Sequence, residues 1–537
     1  MTTTAATDIA FGLTRLVDLP GITAGGPASL SAEDIAQIVA EADRFCREAI
    51  LPGTRDADRE GARYANGVVT TPKHYPGLYR QWMEGGWQGL SAPAAHGGQG
   101  LPNSLWFAVL EFALAADTSF ALGPMLTTGA IECLDHHASA AQKARLLPKM
   151  IAGVWTGAMC LTEPQSGSDL GTIRTRAEPL GDGRYALHGQ KIFISWGDHD
   201  CTEDIVYLVL ARLPDAPAGS RGISLFVARK LREDGSRNAV RCGGIEHKMG
   251  IHASPTCIML FEGAEAELVG EPHRGLPAMF AMMNNERLAV AVQGVAHGAR
   301  ALELAEAYAA QREQGGRIIA QHPDVARMLT EMRATTLAAR LIVLEAAAAG
   351  DRFRLTGDAA AEARLALLTP IAKAWCTERG VETASLGVQV HGGMGFIEEA
   401  GAAQVLRDAR IAPIYEGTNG IQAIDLVARK LGRDQGAAMR ALLAEAHAQA
   451  PELRVPLAQL GAVTMQVLEA QAENPDAAQS IAFAYLEAAG WVLGAWLLAR
   501  AAAADPKTYG ALSDFYRKRL LPRAVARCSE IEAVLAG

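Results

Sequence analysis

The apolar residues of this 537-residue chain change period twice, near Thr156 and again near Leu276, and this restricts the fold more than any single motif. A helix buries positions three and four apart and a half-buried strand buries every second one, so one architecture cannot run through both changes. Between them, residues 205–210 form a continuous apolar run that reads as a buried strand. Residues 222–228 and 257–261 are rich in β-branched and aromatic side chains and read as strands too. Residues 185–195 read as a hairpin turning at His188-Gly189, with further turns at 181–183 and 214–219. Outside this region the spacing predicts helices over 31–50, 75–85, 103–117, 124–135 and 139–151, and later from Leu276, over 323–350, 358–390 and 420–431. Ser31-Ala32-Glu33-Asp34 resembles a capping box, 54–75 reads as polar and turn-rich, and 92–100 as a glycine-rich loop.

The expected class is α+β, mostly α. An arm (1–28) precedes a helical domain (29–155), a β-domain (156–270), a helical bundle domain (271–432) and a helical C-terminal appendage (433–537) whose pieces are separated by Pro451, Pro456, Pro506 and Pro522. Apolar residues make up 49% and aromatics only 6%, so Ala, Leu and Val dominate, which suits closely packed helices. The net charge of -9 comes without a basic stripe, which argues against a nucleic-acid partner. Eight scattered cysteines without a Cys-x-x-Cys pair suit reduced thiols in the cytoplasm rather than a disulfide frame or zinc site. The first residues lack a basic region followed by an apolar core, so no signal peptide is expected. The apolar stretch 488–498 is too short to span a bilayer.

Chemistry concentrates in residues 414–420, Ile-Tyr-Glu-Gly-Thr-Asn-Gly, which follow a charged, alternating segment at 407–411. A carboxylate at Glu416 facing an apolar cavity loses water, its pKa rises and it becomes a stronger base. Gly417 admits close approach because it lacks a Cβ. In isolation such a glutamate is an ordinary loop residue. Two other blocks accompany it: Met159-Cys160-Leu161-Thr162-Glu163-Pro164-Gln165-Ser166-Gly167-Ser168-Asp169 with Phe193-Ile194-Ser195 about thirty residues on, and Gln389-Val390-His391-Gly392-Gly393-Met394-Gly395.

This order and spacing resembles the acyl-CoA dehydrogenase family of flavoproteins over roughly residues 30–430, and residues 246–257 resemble its larger members with an extra C-terminal helical domain. The resemblance implies a helical domain, a β-barrel and a four-helix bundle. It implies FAD as cofactor, an acyl-CoA substrate, an electron-transferring flavoprotein as electron acceptor, and a homo-oligomer, a dimer by preference. It places Met159, Cys160, Leu161 and Thr162 along the flavin, Ser168 by the pantetheine arm and the cofactor, and Phe193, Ile194 and Ser195 against the flavin ring near N5. It places Arg287 on the CoA moiety. Arg312, Gln389, Gly392, Gly393 and Thr418 fall on FAD shared with a neighbouring subunit. Glu416 becomes the base that takes the α-proton, with Gly417 beside the substrate. The product would be a trans-2-enoyl-CoA. Methylthiopropionyl, short and medium acyl chains all stay open. An acyl-CoA oxidase and a non-redox acyl-CoA-binding protein are the alternative functions.

Other residues have simpler readings. Asp198-His199-Asp200 reads as a solvated loop, since one His between two Asp is only a partial ligand set, and no metal is expected. Glu163 and His391 read as structural and Glu398-Glu399 as exposed. Trp196, where a small residue is more usual, either narrows access to the flavin or shapes the acyl pocket. The family's Arg-x-x-Phe-Gly appears here as Arg312-Glu313-Gln314-Gly315-Gly316, without the aromatic, and Pro323 follows His322 where a glutamine is common.

Overall fold

A computed structural model describes residues 4–26 and 28–536; the readings of residues 1–3, Pro27 and Gly537 as parts of the terminal segments lie outside the described residues. The chain divides into two compact units that are not consecutive in sequence. One gathers residues up to Arg44, 102–115 and everything from Arg287 onward; the other holds 45–101 and 116–286.

The second unit is built around seven strands: β1 (Trp155–Cys160), β2 (Arg176–Gly181), β3 (Arg184–Ser195), β4 (Asp204–Arg212), β5 (Ile223–Arg229), β6 (Val240–Ile245) and β7 (Thr256–Val269). Their order is β1-β4-β2-β3-β7-β5, with β6 on β7, and β5 also pairs with β4, so the sheet closes on itself. β4 explains the continuous apolar run. Its residues Ile205, Tyr207 and Val209 enter the barrel core with Phe226, Met259 and Phe261. The alternate residues Val206, Leu208 and Leu210 pack outward on Ile131, Leu146 and Leu147 from the flanking helices. A strand covered on both faces has no polar side to show.

Residues 184–195 are one strand, not the expected hairpin. β2 and β7 flank β3 and extend it, and the chain reverses instead at Asp182-Gly183, where Asp182 is left-handed at φ 53°. Gly189 is a packing glycine: a Cβ there would lie 2.8 Å from the Thr175 Cα. Strands β1, β2 and β6 carry no clear alternation in sequence, and part of the turn-rich 54–75 segment forms a helix (Thr54–Glu60) and a hairpin (Arg63–Ala65 with Val68–Thr70). One further expectation is corrected here. The Asp198-His199 pair is buried, with the His199 Nε2 2.9 Å from the Thr156 hydroxyl and Asp198 bridged to Lys230 at 2.7 Å. Trp196 is sunk in an aromatic cluster, stacked on Tyr75 at 6.3 Å and donating to the Ser119 carbonyl at 3.1 Å. Gly123 makes room for its indole, because a Cβ at Gly123 would come within 2.7 Å of the ring.

The first unit is helical. Its long members are α1 (Gly275–Ala309), of which the part from Arg287 belongs here, α2 (Pro323–Thr356), α3 (Ala359–His391) and, in the appendage, α4 (Pro475–Ala504), which packs on α2 and α3. Pro323, Pro475, Pro506 and Pro522 each open a helix, where the missing N–H has no intrahelical partner to lose. The charged segment before the Tyr-Glu-Gly turn proves helical through Ala409 (Ala402–Ala409), burying Val405 and Ala409 on one side. The short 488–498 stretch belongs to the 30-residue α4, which has the length and apolarity to cross a membrane, but 94% of its most apolar window is covered by the protein itself.

One ionic cluster ties the separated pieces of this unit together. Arg340 on α2 donates its Nε to Glu111 at 3.0 Å and its Nη1 to Asp8 at 3.4 Å, and Tyr509 donates to Asp8 at 3.0 Å. The guanidinium is fully buried, so removing it strands two carboxylates away from water. Arg340→Met is expected to destabilise the protein by about 3–5 kcal/mol, read as a lower denaturation midpoint, whereas Arg300→Met, at an exposed i,i+3 pair, should change it by under about 1 kcal/mol.

Candidate active site

In the first unit the chain leaves the 402–409 helix and turns sharply before the helix Asn419–Ile424. Glu416 has φ 55° and Gly417 φ 84°, two left-handed residues in succession. For glutamate this conformation is unfavourable by about 1–3 kcal/mol and persists only when its surroundings fix it. Here side chains do so. Gln422 donates to the Glu416 carbonyl at 3.1 Å, and Lys373 on α3 donates Nζ to the Gly417 carbonyl at 2.8 Å and to Asn419 Oδ1 at 3.0 Å. Asn419 in turn donates to Thr377, Glu378 and the Ala374 carbonyl. Tyr415 donates to Gln293 on α1. A Cβ on residue 417 would sit 2.8 Å from the Gln422 amide, a second reason for glycine there. Among the described residues, the Glu416 N–H donates to no protein acceptor.

Burial pushes the Glu416 carboxyl up to about 7, and the nearby Arg287 and Lys373 cations hold it from going further. The residue retains partial solvent exposure, yet protein crowds its carboxyl, and desolvation acts at the ionising atoms. Burial works against the Lys373 ammonium as well, and the Glu416 carboxylate opposes that, so each charge favours the other. Arg287 is buried and lies 3.6 Å from Asp425.

In the second unit, Met159 and Cys160 end β1, with Leu161 and Thr162 just beyond. A buried ion pair pins this block to β3: Lys191 Nζ donates to Glu163 at 2.8 Å and to the Leu161 carbonyl at 3.0 Å, and the Ile192 N–H donates to the Thr162 carbonyl at 2.9 Å. Glu163 also accepts from the backbone of Arg174 and Thr175. Although burial works against its charge, Lys191 and these donors hold its carboxyl down at about 2. Beyond the pair the strand bends. Phe193 takes φ 59° and stands 60% exposed between two more buried neighbours, while Ile194 is buried and Ser195 pairs with Thr256. Neither the Thr162 nor the Ser195 hydroxyl is taken up by a hydrogen bond among the described residues.

The sequence-derived residues thus fall into two groups. Arg287, Glu416 and Gly417 come together in the first unit, and Met159, Cys160, Leu161, Thr162, Phe193, Ile194 and Ser195 in the second. Ser168 is exposed in the loop after Glu163. Arg312, Gln389, Gly392 and Gly393 are exposed in the first unit, and Thr418 caps the Asn419–Ile424 helix by accepting from the Ile421 N–H at 3.3 Å. His391 donates within its own helix turn and stacks on Tyr308, consistent with a structural role. No cluster of His, Cys, Asp or Glu suited to a metal occurs among the described residues. Sequence reasoning missed Lys373 and Lys191. The signal for Lys373 was a single cation inside the apolar stretch 367–376.

Residues 32–154, 158–264 and 273–432 match the N-terminal, middle and C-terminal domains of acyl-CoA dehydrogenase, and 434–535 match a domain described as acetyl-CoA dehydrogenase C-terminal like. The chain belongs to the acyl-CoA dehydrogenase family of enzymes. It is 48% identical over 454 residues to a 3-methylmercaptopropionyl-CoA dehydrogenase of Ruegeria pomeroyi, covering 81% of this chain and 77% of that one. Its fold is similar to that of Caenorhabditis elegans ACDH-11, solved in complex with C11-CoA (TM-score 0.81, 22% identity, 97% of this chain and 90% of that one). It is also similar to a Bacillus anthracis acyl-CoA dehydrogenase complexed with FAD (TM-score 0.78, 23% identity, 95% and 88%).

The Lys191–Glu163 pair gives a testable expectation. Lys191→Met leaves a buried carboxylate without its cation and should destabilise by about 3–5 kcal/mol at pH 7. Because the Glu163 carboxyl is held below its ordinary value, its contribution is complete above about 4.5 and fades as pH falls toward about 2. The denaturation midpoints of wild type and Lys191→Met should accordingly draw together on acidification.

Proposed function

We propose that this enzyme carries out the FAD-dependent α,β-dehydrogenation of an acyl-CoA thioester, with Glu416 as the base that takes the α-proton. The observation that carries the reading is the Glu416 turn. A carboxyl poised near pH 7 beside two cations can accept a proton from a weak carbon acid, and the unspent Glu416 N–H can donate to the thioester carbonyl as charge develops there. Arg287 carries positive charge toward the same turn and suits the anionic CoA moiety.

FAD is the cofactor, and it supplies the acceptor for the β-hydride. The residues of the second unit suit it. Phe193, bare and held in a strained conformation, offers an aromatic face for a ring, and the uncommitted Thr162 and Ser195 hydroxyls offer partners for its polar edge. Ser168, exposed nearby in sequence, suits the pantetheine arm. The exposed Arg312, Gln389, Gly392, Gly393 and Thr418 suit a cofactor shared with a second copy of the chain. The run Met394, Phe396 and Ile397, respectively 49%, 86% and 44% exposed, supports a homodimer. An electron-transferring flavoprotein is the proposed acceptor of the electrons, and a cytoplasmic location is supported by eight free thiols, seven of them buried. The 48% identity to a 3-methylmercaptopropionyl-CoA dehydrogenase favours that substrate among the acyl chains.

Anaerobic flavin bleaching tests the base. Glu416→Gln should retain FAD and lose bleaching by acyl-CoA at least a hundredfold; normal bleaching would remove Glu416 from the mechanism. In the wild type the carboxylate is the active form, so the bleaching rate should rise about tenfold per pH unit below about 7 and level above it.

A further inference from the structure

Lys373 stands in the middle of α3 among Leu367, Leu368, Ile371, Ala372, Trp375 and Cys376, and it is 0% exposed. An ammonium in such a place is strongly unfavourable unless something needs its charge, and Leu or Met would fill the volume at no such penalty. Its bonds show where the charge is directed. Both acceptors, the Gly417 carbonyl and Asn419 Oδ1, belong to the Tyr415–Asn419 turn. Asn419 is held in turn by Thr377 and Glu378, one turn along the same helix, so the acceptor is presented to Lys373 rather than found by chance.

We propose that Lys373 is a positioning residue for Glu416: its ammonium clamps the left-handed Glu416-Gly417 turn through the Gly417 carbonyl and supplies the positive charge that lets the Glu416 carboxylate form out of water. The inference rests on Glu416 being the base. Two jobs meet in one side chain. The hydrogen bond fixes the backbone whose N–H and carboxyl must face the substrate together. The charge replaces the hydration that the carboxylate loses. Arg287 shares the second job, and Asp425, at 3.6 Å, draws part of its field away. The charged groups to be counted around the pair are Arg287 on α1, Glu378 on α3, and Asp425 and Arg429 beyond the turn, which act through Arg287. The same arrangement explains why Lys and not Arg occupies the position: a compact ammonium satisfies two oxygens 2.8 and 3.0 Å away inside a helix interface that a planar guanidinium would prise apart.

The test is the pH profile of anaerobic flavin reduction by butyryl-CoA in the FAD-loaded enzyme and in two variants. Lys373→Gln keeps an amide donor for the Gly417 carbonyl and removes the charge. Its limb should move upward by at least one pH unit, with about tenfold slower reduction at pH 7 and a plateau at high pH within a few-fold of wild type. Lys373→Met removes charge and donor, and should shift the limb equally while also lowering the plateau at least tenfold. A merely structural lysine would lower the plateau without moving the limb, and a limb left at the wild-type position in FAD-loaded Lys373→Gln overturns the proposal. Should Lys373→Gln not fold, the double variant Lys373→Gln/Glu416→Gln decides. Recovery of folding supports the proposal, because the stranded carboxylate is gone, and failure to recover overturns it. A wild type that no acyl-CoA bleaches sinks the dehydrogenase reading itself, a result distinct from a bleaching wild type whose limb Lys373 does not control.

Discussion

The withdrawal of the Glu416 carboxyl from water is the constraint on which the rest of the helical unit depends. A carboxylate beside apolar packing loses several kcal/mol of hydration, and the protein returns part of it through fixed positive charge rather than through solvent. That charge must come from elements that do not move. Arg287 sits on α1 and Lys373 on α3, two of the long helices, and side-chain hydrogen bonds from Lys373 and Gln422 hold the carbonyls of the Glu416 turn. A glutamate in a left-handed conformation is a small local conflict, and conflicts of this kind collect where chemistry sets the requirement.

The β unit follows a comparable logic with different means. Its closed sheet gives β4 two apolar faces and leaves β3 long enough to carry both the Lys191 end of a buried ion pair and the bent Phe193 region. Lys191 and Glu163 do not approach solvent. Their attraction fixes the Thr162 block on β3, so that the exposed Phe193 and the uncommitted hydroxyls sit on a stiff support. The buried ion pair here specifies an arrangement more than it adds stability, since a well-packed apolar pair of similar volume is often at least as stable.

The appendage is part of the helical unit's core. α4 packs on α2 and α3, and the first helix of the chain reaches Tyr509 and Arg340 through Asp8. Residues separated by most of the sequence therefore share one buried ionic cluster, which accounts for a compact unit assembled from discontinuous segments.

Much of the architecture could be read from the chain because it is written in local period. The double-sided burial of 205–210, the long helices after Leu276 and the cap at Ser31 and Asp34 all depend on neighbours within a few residues. The Tyr-Glu-Gly turn and the Met159–Thr162 block were legible because whole runs of residues resemble one family. What failed in the reading failed for a physical reason. His188-Gly189 looks like a turn until β2 and β7 are known to flank it, and Asp198-His199 looks solvated until Thr156 and Lys230 arrive from elsewhere. The sequence by itself determined the periods, the caps and the motif residues, since these are set by chain geometry over a turn or a pleat. Only the tertiary structure decided that Lys373 reaches the Gly417 carbonyl and that Lys191 meets Glu163, because a lone cation in an apolar run acquires a meaning only from the oxygen that distant packing brings within 3 Å of it.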